Sequence, residues 1–508
     1  MSGIGKCGDT RIGTVCGNSR DGPRADAYDE PISGCTDDVE PFGQYDLATM
    51  KEATPEATHR MRWWHAPFSL IVCLLFAGMA VQEIINIRFW NDLRVLEWDA
   101  EAYYHYLPAT FIQGDPLDLD YVAVLDDRLH KDHPSSYGIF HVAGTGHECM
   151  KYTCGVAFFE APVFFVVHAY CKGPWTGYPP DGYSAPYQLG VSLSTVLFAF
   201  LGLVMLRSYM LRHVNDRSAA LAIIAIALGT NLFFYCTVGS GMSHPYLFFL
   251  FAAVLERTDA WHRAPSRGKA IGLGLALGLI LLTRPIDFLI VLVPLLWTHG
   301  HGWHAKWALV RKNRSHLVLA AFAVLVPLVP QMLYWKATTG HFIFYSYRGE
   351  GFNWTDPHII DGLFSYRKGW LVWSPLVTFG FTGLILMIAD RSWRSRAWPT
   401  IAFFPVALYG IFSWHQWWYG GGFGSRPMID TLPLLALPIA VLVEKALHKH
   451  ILLGALLATV ILAGVRLNLF QQKQYLSTIV HWDGMTKERY WEIWGKENWE
   501  GLKPFPHE

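Results

Sequence analysis

The stretch that decides the fold is "APFSLIVCLLFAGMAVQEIINIR" (residues 66–88), an apolar run long enough to cross a bilayer. Directly after it comes "LEWDAEAYYHYLPA" (residues 96–109), where acidic and aromatic side chains crowd together. The whole chain has 508 residues, of which 52% are hydrophobic and 16% charged, and this balance excludes an ordinary soluble enzyme. Its formal net charge is zero, so no nucleic acid partner is expected.

Ten further apolar runs follow the first. They lie at 188–206, 218–237, 244–256, 270–283, 286–298, 316–335, 370–389, 398–414, 428–444 and 451–468. The pattern predicts an all-α polytopic membrane protein of about eleven transmembrane helices, with juxtamembrane helices in a long first outer loop. A further run at 154–170 carries Glu160 and Pro162 in its middle, which favours a re-entrant or surface-lying helix over a span.

Basic clusters fall in alternate loops between these runs, as expected for the cytoplasmic face of a membrane protein. Their members are Arg207, Arg212, Arg217, Arg257, Arg263, Arg267, Lys269, Lys306, Arg311, Lys312, Arg314, Arg391, Arg394, Arg396, Lys445 and Lys449. Arg60 and Arg62 place the N-terminus on the same side. The loops rich in acidic, aromatic and glycine residues therefore lie on the opposite, outer face, and we expect the chemistry there.

The domain organisation follows from this topology. Residues 1–60 are predicted to be a disordered N-terminal tail, or the product of a mis-assigned start codon. Residues 61–468 form the transmembrane domain with the outer loop 89–187, and 469–508 form an outer-face tail. The eight cysteines lack metal-ligand spacing and are interpreted as scattered thiols, with a Cys149–Cys171 disulfide as the alternative.

The helix that begins the outer loop carries the first candidate catalytic residues. Helical spacing puts Asp99 and Tyr103 on one face and Glu101 and His105 on another. Asp99 fits a general base or an anchor for a substrate hydroxyl, and its alternative role is a helix N-cap. Glu101 is interpreted as a solvated partner of His105.

Two outer segments offer sites for an anion. Arg284 stands at the tip of a hairpin, where it would bind an anion or pair with Asp287. Arg426 follows a run of glycines whose backbone N–H groups suit phosphate. Further cations, acids and aromatic residues on this face are Lys151, Arg348, Arg367, Lys368, His244, Glu350, Asp356, Asp361, Trp414, Trp417, Trp418 and Tyr419.

Two interpretations of the aromatic residues remain open, since they could stack on sugar rings or form an interfacial belt. The chain has no His/Cys cluster or Walker motif, so neither a metal nor another cofactor is predicted. An anionic, lipid-linked substrate fits these features best, because the bilayer would deliver it and fixed cations would hold its phosphate.

The residues quoted above resemble the GT-C superfamily of integral membrane glycosyltransferases. The likeness lies in "EWDAEAYYHYLPA", "KYTCG", the "TRP" hairpin and "WWYGGGFGSRPMIDTLPLLALP". The chain is most similar to the branch of the lipid A aminoarabinose transferase and the protein O-mannosyltransferases, and within it to an uncharacterised bacterial subgroup. This resemblance implies an inverting transfer of a sugar from a polyprenyl-phosphate donor to a lipid, polysaccharide or protein, at the periplasmic face of the bacterial inner membrane.

Carried over residue by residue, the resemblance implies that Asp99 is the first-loop acid, with Lys151 near the lipid phosphate and Arg284 and Arg426 as phosphate-binding or structural cations. His244, Arg348 and Tyr103 are further candidates for substrate binding. The protein mannosyltransferases have adjacent Asp and Glu residues, whereas Ala100 separates Asp99 from Glu101 in this chain, so either acid could act. A monomer is expected, and the alternative functions are a flippase or transporter and a ligase or polymerase of lipid-linked saccharides.

Overall fold

The computed structural model describes residues 66–129, 134–298, 300, 302–502, 504 and 505, and the chain is mostly helical there, as the sequence predicts. The helices, numbered in chain order, are α1 (Pro67–Ile87), α2 (Asp99–Tyr104), α3 (Tyr106–Pro108), α4 (Leu125–Leu129), α5 (Gly155–Cys171), α6 (Ala185–Met210), α7 (Asp216–Ala227), α8 (Leu232–Thr237), α9 (Ser243–Arg263), α10 (Arg267–Thr283), α11 (Leu292–Leu296), α12 (Gly302–Lys312), α13 (Arg314–Leu325), α14 (Leu328–Thr339), α15 (Ile359–Phe364), α16 (Trp370–Trp373), α17 (Val377–Ala389), α18 (Arg391–Phe412), α19 (Pro433–Lys449), α20 (Ile451–Leu476) and α21 (Lys487–Glu492). A π-helical turn forms at Ala109–Gln113, and 3₁₀ turns form at Asp120–Val124, Pro285–Val291 and Arg426–Ile429. The predicted tail 1–60 lies outside the described residues.

In the described part of the chain, four helical stretches are long and apolar enough to cross a membrane, and three shorter apolar helices accompany them. The four are Pro67–Ile87, Ala185–Met210, Arg314–Thr339 and Ile451–Leu476, and the shorter ones are Gly155–Cys171, Pro285–Leu296 and Val377–Ala389. These helices indicate a membrane protein. Each of the eleven predicted runs coincides with at least one helix, but the number of spans stays a prediction.

Two of the interruptions within the predicted helices meet in the bundle. The run 218–237 forms α7 and α8, separated by residues 228–231, and the run 370–389 forms α16 and α17, separated at Pro375. A proline inside an apolar run removes a helical hydrogen bond, which explains the second break. A Cβ atom on Gly229 would overlap the side chain of Leu376, so the two breaks pack directly against each other.

Small residues allow the helices of the bundle to approach closely. A Cβ atom on Gly274 of α10 would overlap the carbonyl oxygen of Ala320 in α13. In the same way, a Cβ atom on Gly383 of α17 would overlap the carbonyl oxygen of Pro438 in α19. Such backbone contacts are the usual means of helix association in a membrane, where apolar burial alone gives little driving force.

Segment 89–187, which the sequence predicts as an outer loop, contains a β-hairpin that the sequence analysis did not predict. Strands β1 (Ile139–Val142) and β2 (His147–Met150) pair antiparallel. The hairpin runs over a second apolar core, formed under this segment by residues that include Leu96, Tyr104 and Leu107. Its second strand leads straight into Lys151 and the beginning of α5, and so it positions a candidate site residue.

The alternative of a Cys149–Cys171 disulfide is wrong, because both thiols are free. Cys149 lies on β2, where its sulfur accepts a hydrogen bond of 3.8 Å from Thr338. Cys171 is the last residue of α5. Both side chains are buried, which is the usual environment of a structural thiol.

Helix α20, which corresponds to the last predicted span, continues eight residues beyond the predicted boundary at residue 468 and ends at Leu476. Glutamines on its final turns bind the C-terminal segment. Gln471 donates to the Tyr490 hydroxyl at 3.0 Å, and Gln474 donates to the Ile493 carbonyl at 2.7 Å. The segment after residue 477 is therefore tied to the end of α20.

Candidate active site

The carboxylate of Asp99 lies at the start of α2, where three side chains from distant parts of the chain meet it. The hydroxyls of Tyr152 and Tyr137 donate to Asp99 Oδ1 at 2.6 Å and 3.2 Å. The guanidinium of Arg426 lies 2.9 Å from Asp99 Oδ2. The helix has no side-chain cap, so the structure shows Asp99 in tertiary contacts and not in the alternative role of N-cap. The preceding residue, Trp98, has a φ of 52°, a strained conformation for a residue with a side chain.

These contacts determine the charge state of Asp99. Burial alone would raise the pKa of this carboxyl. The Arg426 guanidinium and the hydroxyls of Tyr152 and Tyr137 outweigh burial, and the pKa lies below its ordinary value. Asp99 is therefore an ionised, hydrogen-bonded carboxylate at neutral pH, with 13% of its side chain exposed.

The glycine-rich segment that carries Arg426 is held by the first helix break. Asn231, at the end of that break, donates to the carbonyl oxygens of Phe423 and Ser425 at 3.3 Å and 3.2 Å. The Phe423 N–H donates to the Tyr235 hydroxyl at 3.2 Å. Gly422 is required at its position, because its φ is 139° and a Cβ atom would overlap the Tyr235 hydroxyl oxygen.

The C-terminal segment covers the same glycine-rich loop from the other side. Lys368 is buried and donates to the carbonyl oxygens of Gly422 and Trp482. Burial lowers the pKa of Lys368 to about 7. The neighbouring Arg367 pairs with Asp483 at 2.6 Å. Both cations, which the sequence placed among the outer-face charges, therefore join the C-terminal segment to the loop.

A second group of charged residues surrounds Arg284. Its guanidinium lies 3.5 Å from Asp287 and 3.7 Å from Asp430, and it contacts the His244 ring at 3.2 Å. His244 in turn lies 3.1 Å from Asp430. The predicted Arg284–Asp287 pair thus forms, but as part of a cluster of four residues. The Tyr419 ring lies 5.4 Å from the Arg284 guanidinium carbon, within range of a cation–π contact.

Tyr103 links the Asp99 pair to the Arg284 cluster. Its ring lies 4.6 Å from the Tyr152 ring, on the face of α2 that carries Asp99, as the helical spacing predicts. Burial raises the pKa of Tyr103, the Asp99 charge raises it further, and the charges of Arg284 and Arg426 lower it. The side chain therefore senses both guanidinium groups, and the two clusters form one polar region.

Lys151 borders this region with a carboxylate partner. Its ammonium lies 2.5 Å from Glu350, and 5.3 Å and 5.2 Å from the ring centroids of Tyr152 and Tyr347. Lys151 is also among the charges that lower the pKa of Asp99. The sequence analysis predicted Lys151 as a phosphate contact and placed Glu350 among the acids of the outer face. In the structure the two residues form an ion pair.

Two of the predicted site residues lie away from Asp99. Glu101 is 2% exposed, so the prediction that its side chain is solvated is wrong. It faces the opposite side of α2, where its charge raises the pKa of Tyr121 and Tyr183. Arg348 is exposed, stacks on the Phe140 ring at 4.0 Å and donates to the His141 carbonyl at 3.0 Å, which places it on the hairpin.

Several residues of the site were not found from the sequence. Asp430 was read as part of an apolar helix, although it lies one turn after Arg426, a spacing that puts both on one face. Tyr137 and Tyr152 lie 38 and 53 residues from Asp99, and no local pattern links them to it. Within the described part of the chain, no group of three His, Cys, Asp or Glu side chains could hold a metal ion.

No protein-family model, curated protein or solved structure matches the chain. The resemblance to membrane glycosyltransferases therefore rests on the sequence segments quoted above. The contacts of Asp99 in the structure do not depend on this resemblance.

Tyr152→Phe is expected to move the acid limb of the pH–activity profile to higher pH. The variant loses the 2.6 Å hydrogen bond that favours the ionised form of Asp99, so the pKa of this carboxyl rises. If catalysis needs the carboxylate, activity is lost as the pH falls through that pKa, and a higher pKa brings the loss at higher pH. The measurement is the dependence of kcat/KM on pH, with Tyr178→Phe on the exposed surface as the control. An unchanged acid limb would show that Asp99 is not the group whose protonation causes the loss of activity.

Proposed function

We propose that the protein is an integral membrane glycosyltransferase that moves a sugar from a polyprenyl-phosphate donor to an acceptor hydroxyl, with inversion at the sugar. The observation that carries the proposal is the contact between the Asp99 carboxylate and the Arg426 guanidinium, 2.9 Å apart. A base and a phosphate ligand are the two groups that this reaction needs from the protein.

In the proposed reaction, the acceptor oxygen attacks the anomeric carbon of the donor sugar. The bond from that carbon to the phosphate oxygen breaks, and the polyprenyl phosphate leaves with the electron pair. The acceptor proton passes to Asp99. A single displacement of this kind inverts the anomeric centre. Phosphate is already a stable leaving group, so fixed cations suffice to stabilise the developing charge.

The Asp99–Arg426 contact would couple donor binding to the proposed reaction. In the resting protein Arg426 holds Asp99 Oδ2, which cannot then receive a proton freely. A donor phosphate would compete for the guanidinium, because a fork of N–H groups suits phosphate oxygens. Binding of the donor would thus free Asp99 as base at the moment when the sugar is in place.

The topology that fits this function has eleven spans in the bacterial inner membrane, with a cytoplasmic N-terminus and a periplasmic site. Its support is that α1 ends shortly before Asp99, while its beginning meets the basic ends of other helices. The N–H of Phe68 donates at 2.8 Å to Asp216, which lies between the basic residues Arg212 and Arg217. Arg212 pairs with Asp259 at 2.8 Å, near the end of α9.

Cysteine labelling in intact cells tests this topology. A cysteine at Gly177 is expected to react with a membrane-impermeant maleimide, whereas a cysteine at Asn313 is expected to react only after the cells are opened. The five described native cysteines are buried, which keeps the background low. Labelling of Asn313→Cys in intact cells would contradict the proposed orientation.

A deletion strain tests the function. Loss of the protein is expected to make one polyprenyl-phosphate sugar accumulate, and the wild-type gene is expected to restore the normal profile while Asp99→Asn does not. An unchanged lipid-linked sugar profile would argue against a transferase of this class.

Transport of a lipid-linked saccharide is a second candidate, favoured by one observation. The Arg284 cluster includes His244 on α9 and Asp430 just before α19, both almost fully buried, and α7/α8 and α16/α17 are discontinuous, as in many transporters. A transporter changes the location of its substrate but leaves the glycosidic bond intact, so chemistry in detergent distinguishes the two functions.

A further inference from the structure

A groove of about 550 Å³ lies outside the site, between α1, α8 and α20. Most of its lining is apolar and includes Leu75, Met79, Phe233 and Leu469. Leu75 and Met79 are 58% and 39% exposed, so the apolar wall is open on the outside of the bundle. This volume lies in the range of about 300–1,000 Å³ that is typical of small-molecule sites.

One end of the groove is polar. Glu83 and Lys473 line it, together with Gln82 and Gln472. Both charged residues lie close to the ends of α1 and α20, from which the chain leads to Asp99 and to the C-terminal segment. Leu75 lies eight residues before Glu83, which is about 12 Å deeper along the helix axis. The groove therefore runs from the end of the bundle that carries the site into its apolar middle.

Among the described residues, neither charge at this end has an ion-pair partner. In the described ranges of the chain, no ion pair forms at Glu83 or Lys473, although both line the same groove. A cation would therefore be favoured beside Glu83 and an anion beside Lys473. An acidic and a basic group at the top of an apolar channel complement a molecule with a zwitterionic head and a long hydrocarbon tail.

We infer that this groove binds a glycerophospholipid with a phosphoethanolamine headgroup. One acyl chain lies along the apolar wall, the ammonium contacts Glu83, and the phosphate contacts Lys473. A phosphoglycerol headgroup would also bring its phosphate to Lys473, but it has no cation for Glu83. The groove therefore discriminates between the two headgroups, and this inference does not depend on the proposed sugar transfer.

Gly78 allows the groove to be filled without disturbing the helices. It lines the groove, and a Cβ atom there would have no other atom within 4 Å, so Gly78→Leu fits and occupies the space of the acyl chain. Gly268→Leu is the matched control, because that glycine is also surrounded by open space but lies on α10, away from the groove.

The test is native mass spectrometry of the full-length protein in detergent with dioleoyl phosphatidylethanolamine or dioleoyl phosphatidylglycerol. We expect the wild type and Gly268→Leu to bind the ethanolamine lipid at least about tenfold more tightly than the glycerol lipid. Gly78→Leu is expected to weaken ethanolamine-lipid binding by at least about tenfold. Glu83→Gln is expected to bind the two lipids equally, and it tests the headgroup contact even if Gly78→Leu does not fold. Equal binding of both lipids by the wild type, or full binding of the ethanolamine lipid by a folded Gly78→Leu, would overturn the inference.

Discussion

Asp99→Asn is expected to reduce sugar transfer by about 10²–10⁴-fold, the range typical for loss of a general base. The amide has the same shape as the carboxylate and can still accept hydrogen bonds from Tyr137 and Tyr152. It cannot accept the proton of the acceptor hydroxyl. The measurement is turnover by the purified protein, together with its melting temperature, which shows whether the variant is folded.

Two further variants serve as comparisons for Asp99→Asn. Asp356→Asn, on an exposed loop, is expected to keep wild-type turnover. Asp99→Glu keeps a carboxylate in a shifted position and is expected to retain part of the activity. Full turnover in a folded Asp99→Asn protein would remove this residue from the mechanism and leave the ion pair with Arg426 as a structural contact.

Arg426→Gln is expected to reduce kcat by about 10²–10³-fold, the usual effect of losing one group that stabilises developing negative charge. The proposed phosphate contact disappears, so KM for the donor rises as well. In addition, the guanidinium no longer opposes burial at Asp99, so the pKa of that carboxyl rises and the acid limb of the profile moves to higher pH. Steady-state kinetics at several pH values measure all three effects.

The control for this variant is Arg94→Gln. Arg94 lies in segment 89–187 and pairs with Glu97, three residues further on, at 3.5 Å, with 58% of its side chain exposed. Such surface pairs contribute little, so wild-type kinetics are expected. If Arg426→Gln changed only the melting temperature and left kcat and KM as they are, Arg426 would be a structural cation.

Apolar periodicity predicts where the helices lie, because each predicted run needs only local sequence to be recognised. It does not predict that the interruptions at 228–231 and 374–376 meet, because the contact between Gly229 and Leu376 joins positions 147 residues apart. The hairpin Ile139–Met150 was missed for a similar reason, since its strands are short and rest on a core formed by the whole outer segment.

The sequence predicts which cations belong to the candidate site. It also predicts that Asp99 and Tyr103 share one face of α2, because they are four residues apart. The pairing of these groups was not predictable. Arg426 meets Asp99, and Lys151 meets Glu350, through contacts between segments 327 and 199 residues apart. Local sequence carries no signal for such pairs, and only the packed bundle brings them together.

The most direct test of the central claim is a transfer reaction with the purified protein in detergent, where no membrane separates two compartments. The donors are polyprenyl-phosphate sugars from the deletion strain, and the readout is release of polyprenyl phosphate together with a new glycosidic bond of inverted configuration. We predict that the wild type forms both products and that folded Asp99→Asn forms neither. Intact donor after incubation with folded wild-type protein would contradict the account. Equal product from folded Asp99→Asn would also contradict it.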